Sequence, residues 1–285
     1  MSQSLGTALI TGASTGIGAV YADRLARRGY DLVLVARDEA RLNALAERLR
    51  TQTKVTVDVI RADLTRREDL APVEQRLATD ASITLLVNNA GGTVSGPFDT
   101  IGPDSYDQLI QLNVTSLTRL SAAVAPNFVK RGKGAIINLS SVLAVAPEIG
   151  MPVYNATKAF VLGLSQSLNT ELGPKGVYIQ AVLPAATRTE IWERAGIDLD
   201  KFPPEQVMSV DDLVDAALAG FDKGETITFP PLQDEGLWQA FDDARKAMLG
   251  GVRGDTPAPR YRTRELVGAG LEDGADGLPF PLGRE

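Results

Sequence analysis

The sequence predicts an α/β protein built on a doubly wound parallel sheet with helices on both faces. Short apolar segments alternate with longer amphipathic ones from the N-terminus almost to residue 232. Most apolar segments lack polar/apolar alternation, as expected for strands whose two faces are both covered. A glycine-rich segment at 11–18 lies between the first strand and the first helix. Strands joined through helices imply right-handed crossovers and therefore a parallel sheet.

Seven strands are predicted from the apolar segments, and helices from the amphipathic segments between them. Gly29 marks the end of the first helix, and Asp38 and Asp211 are candidate helix caps. A short additional helix is possible around residues 189–195. The predicted strands are 7–10, 31–35, 55–60, 84–87, 135–139, 177–182 and 226–229, and the predicted helices are 17–28, 38–50, 66–78, 103–131, 152–173 and 211–221.

The 285 residues suit one α/β domain, which we place at residues 1–261. Residues 262–285 are rich in glycine and acids, and we interpret them as a flexible tail, or alternatively as an arm that docks on a neighbouring subunit. The N-terminal residues do not resemble a signal peptide, and no segment approaches the about 20 apolar residues of a membrane span. A cytoplasmic protein without membrane contact is therefore expected.

Charge and composition exclude several classes of function. The net charge of −7 argues against a nucleic-acid-binding protein, because phosphate neutralisation needs a basic surface. The chain has no cysteine, which excludes disulfides and thiolate chemistry. It also has no histidine, which removes Ser-His-Asp hydrolysis and most zinc sites. No metal site is predicted.

The glycine-rich turn predicts a dinucleotide site. Gly12 permits a sharp turn, Gly16 permits close approach to a pyrophosphate, and Gly18 permits the helix to pack against the sheet. The backbone N–H groups at the start of the following helix would face the phosphates. A purely structural turn is the alternative, but the position at the first strand-to-helix junction favours binding. The predicted contacts in this turn are Gly12, Ser14, Thr15, Gly16, Ile17 and Gly18.

The end of the second strand favours NADP(H) over NAD(H). An acid at this point would bind the free ribose hydroxyls of NAD, whereas Arg37 offers a forked cation for a 2′-phosphate. Arg41 would add to it if the segment is helical. Two solvated surface arginines are the alternative interpretation.

Four polar residues downstream form a candidate proton-transfer site: Asn113, Ser141, Tyr154 and Lys158. Tyr154 and Lys158 are four residues apart, so they share one face of the helix predicted there. Ser141 follows the predicted strand at 135–139. A phenol, an ammonium and a hydroxyl beside a dinucleotide site indicate hydride chemistry on a carbonyl or an alcohol. An ordinary amphipathic helix face is the alternative for the Tyr–Lys pair taken alone.

Together these motifs resemble the short-chain dehydrogenase/reductase (SDR) family, classical type, over roughly residues 5–260. The motifs occur in the order and spacing of that family: 11–18, Asp63, 88–91, Asn113, 140–141, 154–158, and Pro184 with Thr189. The resemblance implies a Rossmann fold with strand order 3-2-1-4-5-6-7 and a site at the carboxyl ends of the strands. It also implies a homodimer or homotetramer.

The resemblance further implies the remaining cofactor contacts. Asp63 matches the acid that contacts adenine, and Leu64 follows it. The other implied contacts are Asn89, Ala90, Gly91, Tyr154, Lys158, Pro184, Thr187 and Thr189. Two positions depart from the family pattern: Ala185 stands where a glycine is usual, and Thr15 stands where some NADP-dependent members carry a basic residue.

The expected chemistry is hydride transfer between a nicotinamide cofactor and a carbonyl or alcohol, with Tyr154 as acid or base. Lys158 would lower the pKa of the phenol, and Ser141 would hold the substrate oxygen. By family analogy Asn113 holds a water that links Lys158 to solvent. A non-catalytic NADP(H)-binding regulator, or an epimerase or dehydratase on the same scaffold, is the alternative.

The predicted substrate pocket is largely apolar. It combines the segment after Ser141, the loop after Gly91 and a substrate loop at about 185–210. Leu143, Ile149 and Trp192 are its predicted lining residues. An apolar ketone, aldehyde or secondary alcohol is slightly favoured, and acyl thioesters, sugars and steroids remain open.

Overall fold

A computed structural model of the protein describes residues 5–194, 196–252 and 254–261. Its seven strands form one parallel sheet in the order β3-β2-β1-β4-β5-β6-β7, which confirms the predicted architecture. The predicted tail at 262–285 lies outside the described residues. The strands are β1 (Thr7–Thr11), β2 (Asp31–Ala36), β3 (Val57–Arg61), β4 (Ile83–Asn88), β5 (Gly134–Leu139), β6 (Val177–Val182) and β7 (Ile227–Thr228).

The helices are α1 (Gly16–Arg27), α2 (Glu39–Thr53), α3 (Arg67–Thr79), α4 (Pro103–Ile110), α5 (Leu117–Arg131), α6 (Pro152–Leu172), α7 (Glu190–Arg194), α8 (Val210–Lys223) and α9 (Glu235–Gly251). Residues of α1, α2 and α8 pack on one face of the sheet, and residues of α3, α5 and α6 pack on the other. The helix predicted as continuous over 103–131 contains a π-helical stretch, Gln111–Ser116, between α4 and α5. The short helix expected near residue 190 is present as α7.

The chain divides after Gln233 into two compact units. The first contains the whole sheet, and the second contains α9, which lies outside the predicted helix ranges. Within that second unit Asp234 caps α9 at the Gly236 N–H, and Asp242 pairs with Arg245 and Lys246. Within the described residues no helix is long and apolar enough to cross a membrane.

Alternate residues of each central strand enter two separate apolar cores. On β1, Ile10 packs with α1 and α2 residues such as Leu25 and Leu42, whereas Leu9 packs on the opposite face with Val124 and other residues of α3 and α5. Both sets are fully or almost fully buried. This arrangement explains why the strand sequences are apolar without alternation.

A buried hydrogen-bond network fixes the carboxyl ends of β4 and β5. Asn88 Nδ2 donates to Asn138 Oδ1 (2.9 Å) and to Ser121 Oγ of α5 (3.0 Å). Asn138 Nδ2 donates in turn to Ser165 Oγ of α6 (2.9 Å). The network holds two strand ends and two helices together directly below the loops that follow β4 and β5.

Asn138→Ala is expected to destabilise the protein by about 2 kcal/mol, because Asn88 loses one buried acceptor and Ser165 loses a donor. The measurement is the free energy of unfolding in urea. The matched control is Asn43→Ala on the exposed side of α2, which should change that free energy by less than about 0.5 kcal/mol. Equal effects of the two substitutions would contradict a stabilising role for the network.

Candidate active site

A cavity of about 710 Å³ lies at the carboxyl ends of the strands. Parallel strands deliver their following loops to the same edge, so segments distant in sequence meet here. The predicted cofactor contacts that line it are Gly12, Ser14, Thr15, Gly16, Ile17, Arg37, Asp63, Leu64, Asn89, Ala90, Gly91, Tyr154, Lys158, Pro184, Thr187 and Thr189. Gly18 and Arg41, which were also predicted, are not among the lining residues.

The glycine turn is shaped by close backbone approach. Gly12 has φ +66°, and a Cβ there would lie 2.8 Å from Asn89 Nδ2. A Cβ on Gly18 would collide with the Gly12 carbonyl oxygen. Gly18 therefore acts in packing, as the sequence interpretation proposed for it, while Gly12 and Gly16 line the cavity.

Thr11, which was not among the predicted site residues, joins this turn to the segment after β4. Its hydroxyl accepts from the N–H groups of Asn89 and Ala90 (both 3.0 Å) and donates to the Val87 carbonyl (3.3 Å). Asn89 Nδ2 donates back to the Thr11 carbonyl (2.9 Å). These bonds hold the two halves of the cavity floor in one geometry.

Asp63 is an ionised acceptor at the cavity wall. Burial acts to raise its pKa, but hydrogen bonds from the Thr65 hydroxyl (2.7 Å) and N–H (3.0 Å), together with the nearby Arg37 charge, hold the pKa below its ordinary value. Thr65 also lines the cavity and was not predicted. Thr65 lies two residues after Asp63, so the Asp-x-Thr pattern of an Asx turn is the local signal that could have identified it.

The two arginines predicted at the adenosine side are placed differently. Arg37 is exposed, lines the cavity, and forms no hydrogen bond or ion pair with the residues that the structure describes. Arg41 Nη1 instead donates to both carboxylate oxygens of Glu190 (2.8 and 2.9 Å), and its Nε lies 3.4 Å from Asp38. Cofactor contact by Arg41 therefore stays a prediction.

Ser141, Tyr154 and Lys158 converge at the inner end of the cavity. Tyr154 and Lys158 share one face of α6, and Lys158 Nζ lies 5.6 Å from the centre of the Tyr154 ring. A side-chain hydrogen bond joins Tyr154 to Ser141. Lys158 Nζ also donates to the Leu139 carbonyl (2.9 Å), which anchors the ammonium at the end of β5.

Asn113 is buried beside these three side chains but does not line the cavity. Its Oδ1 accepts from the Gly92 N–H (2.9 Å), and its Nδ2 donates to the Gly92 carbonyl and to Thr157 Oγ1 (both 3.0 Å). The amide ties the π-helical stretch to the loop after β4 and to α6. Its predicted water-holding role stays a prediction.

Burial shifts the two titrating groups in opposite directions. Burial raises the pKa of Tyr154 to about 12, and the hydrogen bond from Ser141 opposes this only in part. Burial lowers the pKa of Lys158 to about 8. The net pKa of the phenol is thus raised rather than lowered, because burial dominates, and the expected effect of Lys158 on it stays a prediction.

The residues predicted to contact the substrate lie in the wall of the cavity. Leu143, Ile149 and Trp192 all line the cavity, together with Phe202 of the substrate loop. Trp192 is fixed by a hydrogen bond from its Nε1 to the Thr187 carbonyl (2.8 Å). Glu190 and Ile197 of the same loop also line the cavity and were not predicted.

Comparison with known proteins identifies the family, because the protein-family model for "short chain dehydrogenase" matches residues 6–199. The chain belongs to this family. A short-chain dehydrogenase from Sphingobium yanoikuyae in complex with NADPH is 59% identical, with a TM-score of 0.89 over 90% of this chain and 100% of that one. A bulky-bulky ketone specific alcohol dehydrogenase from Comamonas testosteroni is 55% identical, with a TM-score of 0.85 over 91% and 99%.

More distant relatives include vertebrate very-long-chain 3-oxoacyl-CoA reductases. The one from Danio rerio is 36% identical over 216 residues, which cover 74% of this chain and 67% of the relative. The chain spans 64% to 67% of the length of the vertebrate relatives of this kind. The names of these relatives include an alcohol dehydrogenase and carbonyl reductases. This chain is an oxidoreductase of the SDR family.

The lowered pKa of Lys158 can be tested directly. We expect its ammonium to lose its proton near pH 8, since the protein interior disfavours the charged form. The measurement is a pH titration of Cε-labelled lysines by NMR, with the Lys158 signal identified by its absence in Lys158→Met. Titration at or above the ordinary value of 10.5 would contradict the electrostatic environment described here.

Proposed function

We propose that this protein is an NADP(H)-dependent oxidoreductase that interconverts a ketone or aldehyde and the corresponding alcohol. The observation that carries the proposal is the convergence of Ser141, Tyr154 and Lys158 in a cavity whose other end is the glycine turn. A regulator without turnover would not need this cavity-lining phenol with its positioning hydroxyl.

The residues of the cavity fit a dinucleotide. The turn after β1 places Gly12 and Gly16 against the space for a diphosphate, and Asp63 offers an ionised acceptor for the adenine half. Arg37, without an ion pair among the described residues, suits a 2′-phosphate. The NADPH complex of the Sphingobium relative supports the choice of NADP(H).

In carbonyl reduction a bound reduced nicotinamide would supply the hydride. Ser141 would hydrogen-bond the substrate oxygen and keep it beside the Tyr154 phenol. As negative charge develops on that oxygen, the phenol O–H transfers its proton to it. With a pKa of about 12 the phenol is fully protonated at neutral pH, so the acid is in the form that reduction needs. Lys158 adds a positive field behind the ring.

The substrate proposed for this site is a ketone with bulky apolar substituents. Leu143, Ile149, Trp192 and Phe202 supply an apolar wall of large side chains. The Comamonas relative, specific for bulky-bulky ketones, supports this choice. We also propose, from the family resemblance, that the protein works as a homodimer or homotetramer.

Tyr154→Phe removes the transferable proton without changing the shape of the ring. We expect kcat for NADPH-dependent ketone reduction to fall by at least about 100-fold, while the Kd for NADPH changes little. Steady-state rates and fluorescence titration with NADPH measure the two effects. The control is Tyr261→Phe, at an exposed ring outside the cavity, and turnover by Tyr154→Phe at the level of this control would refute the proposed acid.

The size of the substrate pocket generates a second prediction. A neighbouring cavity of about 450 Å³ shares Ala185, Ala186 and Phe202 with the main cavity, so the Phe202 ring contributes to the wall between them. We expect Phe202→Ala to raise kcat/KM for ketones with large substituents by about tenfold relative to small ketones. Leu199→Ala, at a residue of the same loop that lines neither cavity, is the control. An unchanged ratio would show that Phe202 does not limit substrate size.

A further inference from the structure

An ion pair joins the adenosine side of the cavity to the substrate loop. Arg41 belongs to the first turn of α2, and Glu190 is the first residue of α7. Arg41 Nη1 donates to both oxygens of the Glu190 carboxylate, at 2.8 and 2.9 Å. The two residues are 149 positions apart in the sequence, so only the fold brings them together.

One member of this pair, Glu190, lines the cofactor cavity. Thr189, the neighbour of Glu190, lies against the glycine turn, since a Cβ on Gly16 would be 3.3 Å from Thr189 Cγ2. Glu190 lines the cavity together with Arg37, whereas Arg41 does not. The carboxylate of Glu190 therefore occupies the rim beside which the adenosine ribose of a dinucleotide would lie.

The two arginines near this rim, Arg37 and Arg41, differ in their carboxylate partners. Arg41 is engaged by two carboxylates, Glu190 and Asp38, while Arg37 has no ion pair with the described residues. Arg41 and Glu190 are about half exposed, so their attraction is screened by water and is weak. A phosphate monoester carries nearly two negative charges and three strong acceptor oxygens, which a forked guanidinium binds better than a carboxylate at the same place.

We propose that Glu190 is a specificity-determining residue that competes with the adenosine 2′-phosphate for Arg41. The inference rests on the proposed binding of NADP(H). In the absence of a 2′-phosphate Arg41 stays with Glu190, and with NADPH it turns to the phosphate beside Arg37. Glu190 thereby weakens NADPH binding without affecting NADH, and it connects recognition of the phosphate to helix α7, which carries Trp192 of the substrate wall.

The test compares dissociation constants for NADPH and NADH, measured by fluorescence titration of the full chain. We expect Glu190→Gln to bind NADPH about two- to fivefold more tightly, the range set by exposed ion pairs, and to bind NADH as the unchanged protein does. Arg41→Gln should weaken NADPH binding and leave NADH binding unchanged. Glu190→Asp keeps the carboxylate and should retain most of the original preference.

The double variant Glu190→Gln/Arg41→Gln separates competition for Arg41 from direct repulsion of the phosphate by Glu190. Glu190 takes part in a further interaction besides the pair with Arg41, so a change at this position can act in more than one way. If the competition is real, Glu190→Gln produces no tightening of NADPH in the Arg41→Gln background. Equal tightening in both backgrounds would show that Glu190 only repels the phosphate, and this would overturn the inference.

A matched control removes a different carboxylate from the same loop. Asp200 pairs with the exposed Arg188 (3.3 Å) and does not line the cavity, so Asp200→Asn should leave both dissociation constants unchanged. Weaker NADPH binding by Glu190→Gln, or equal tightening of NADH, would also overturn the inference. Failure of the unchanged protein to bind NADPH would instead refute the proposed function itself.

Discussion

The parallel direction of the central strands is the constraint on which the site depends. Because every strand runs the same way, the loops after β1, β2, β3, β4, β5 and β6 all open at one edge of the sheet. The Thr11 hydroxyl joins the loop after β1 to the loop after β4. The Asn88–Asn138 hydrogen bond joins the ends of β4 and β5 below these loops. A rigid floor of this kind holds reacting groups in fixed geometry, which lowers the entropic cost of catalysis.

Burial of Tyr154 and Lys158 has a chemical consequence beyond placement. In water a phenol is slightly more acidic than a lysine ammonium, but here the order is strongly reversed, with pKa values of about 12 and about 8. At neutral pH the pair is a neutral phenol beside an ammonium, and the ammonium is the group that yields its proton first as pH rises. The phenol therefore keeps its proton at neutral pH, and the reverse reaction requires additional stabilisation of a phenolate.

Much of this arrangement can be predicted from local sequence patterns. The uniformly apolar strands and the glycine turn predict the sheet and the phosphate end of the cavity, and the spacing of Tyr154 and Lys158 predicts their shared helix face. The π-helical stretch around Asn113 was not predicted, because its sequence pattern is that of an ordinary amphipathic helix. The direction of the Tyr154 pKa shift depends on burial, which a local sequence pattern does not show. The partner of Arg41 lies 149 residues away, so a local pattern does not show it either.

The substrate loop contributes to both ends of the cavity. Trp192 and Phe202 line the side of the cavity where we propose that the ketone binds, and Glu190 lines the side proposed for the adenosine. One short segment therefore contributes to both proposed binding regions. Trp192 Nε1 donates to the Thr187 carbonyl, and Thr187 pairs with Met208, so the backbone on both sides of Glu190 is tied to the rest of the loop. The proposed competition at Glu190 therefore acts on a segment that also carries part of the wall proposed for the ketone.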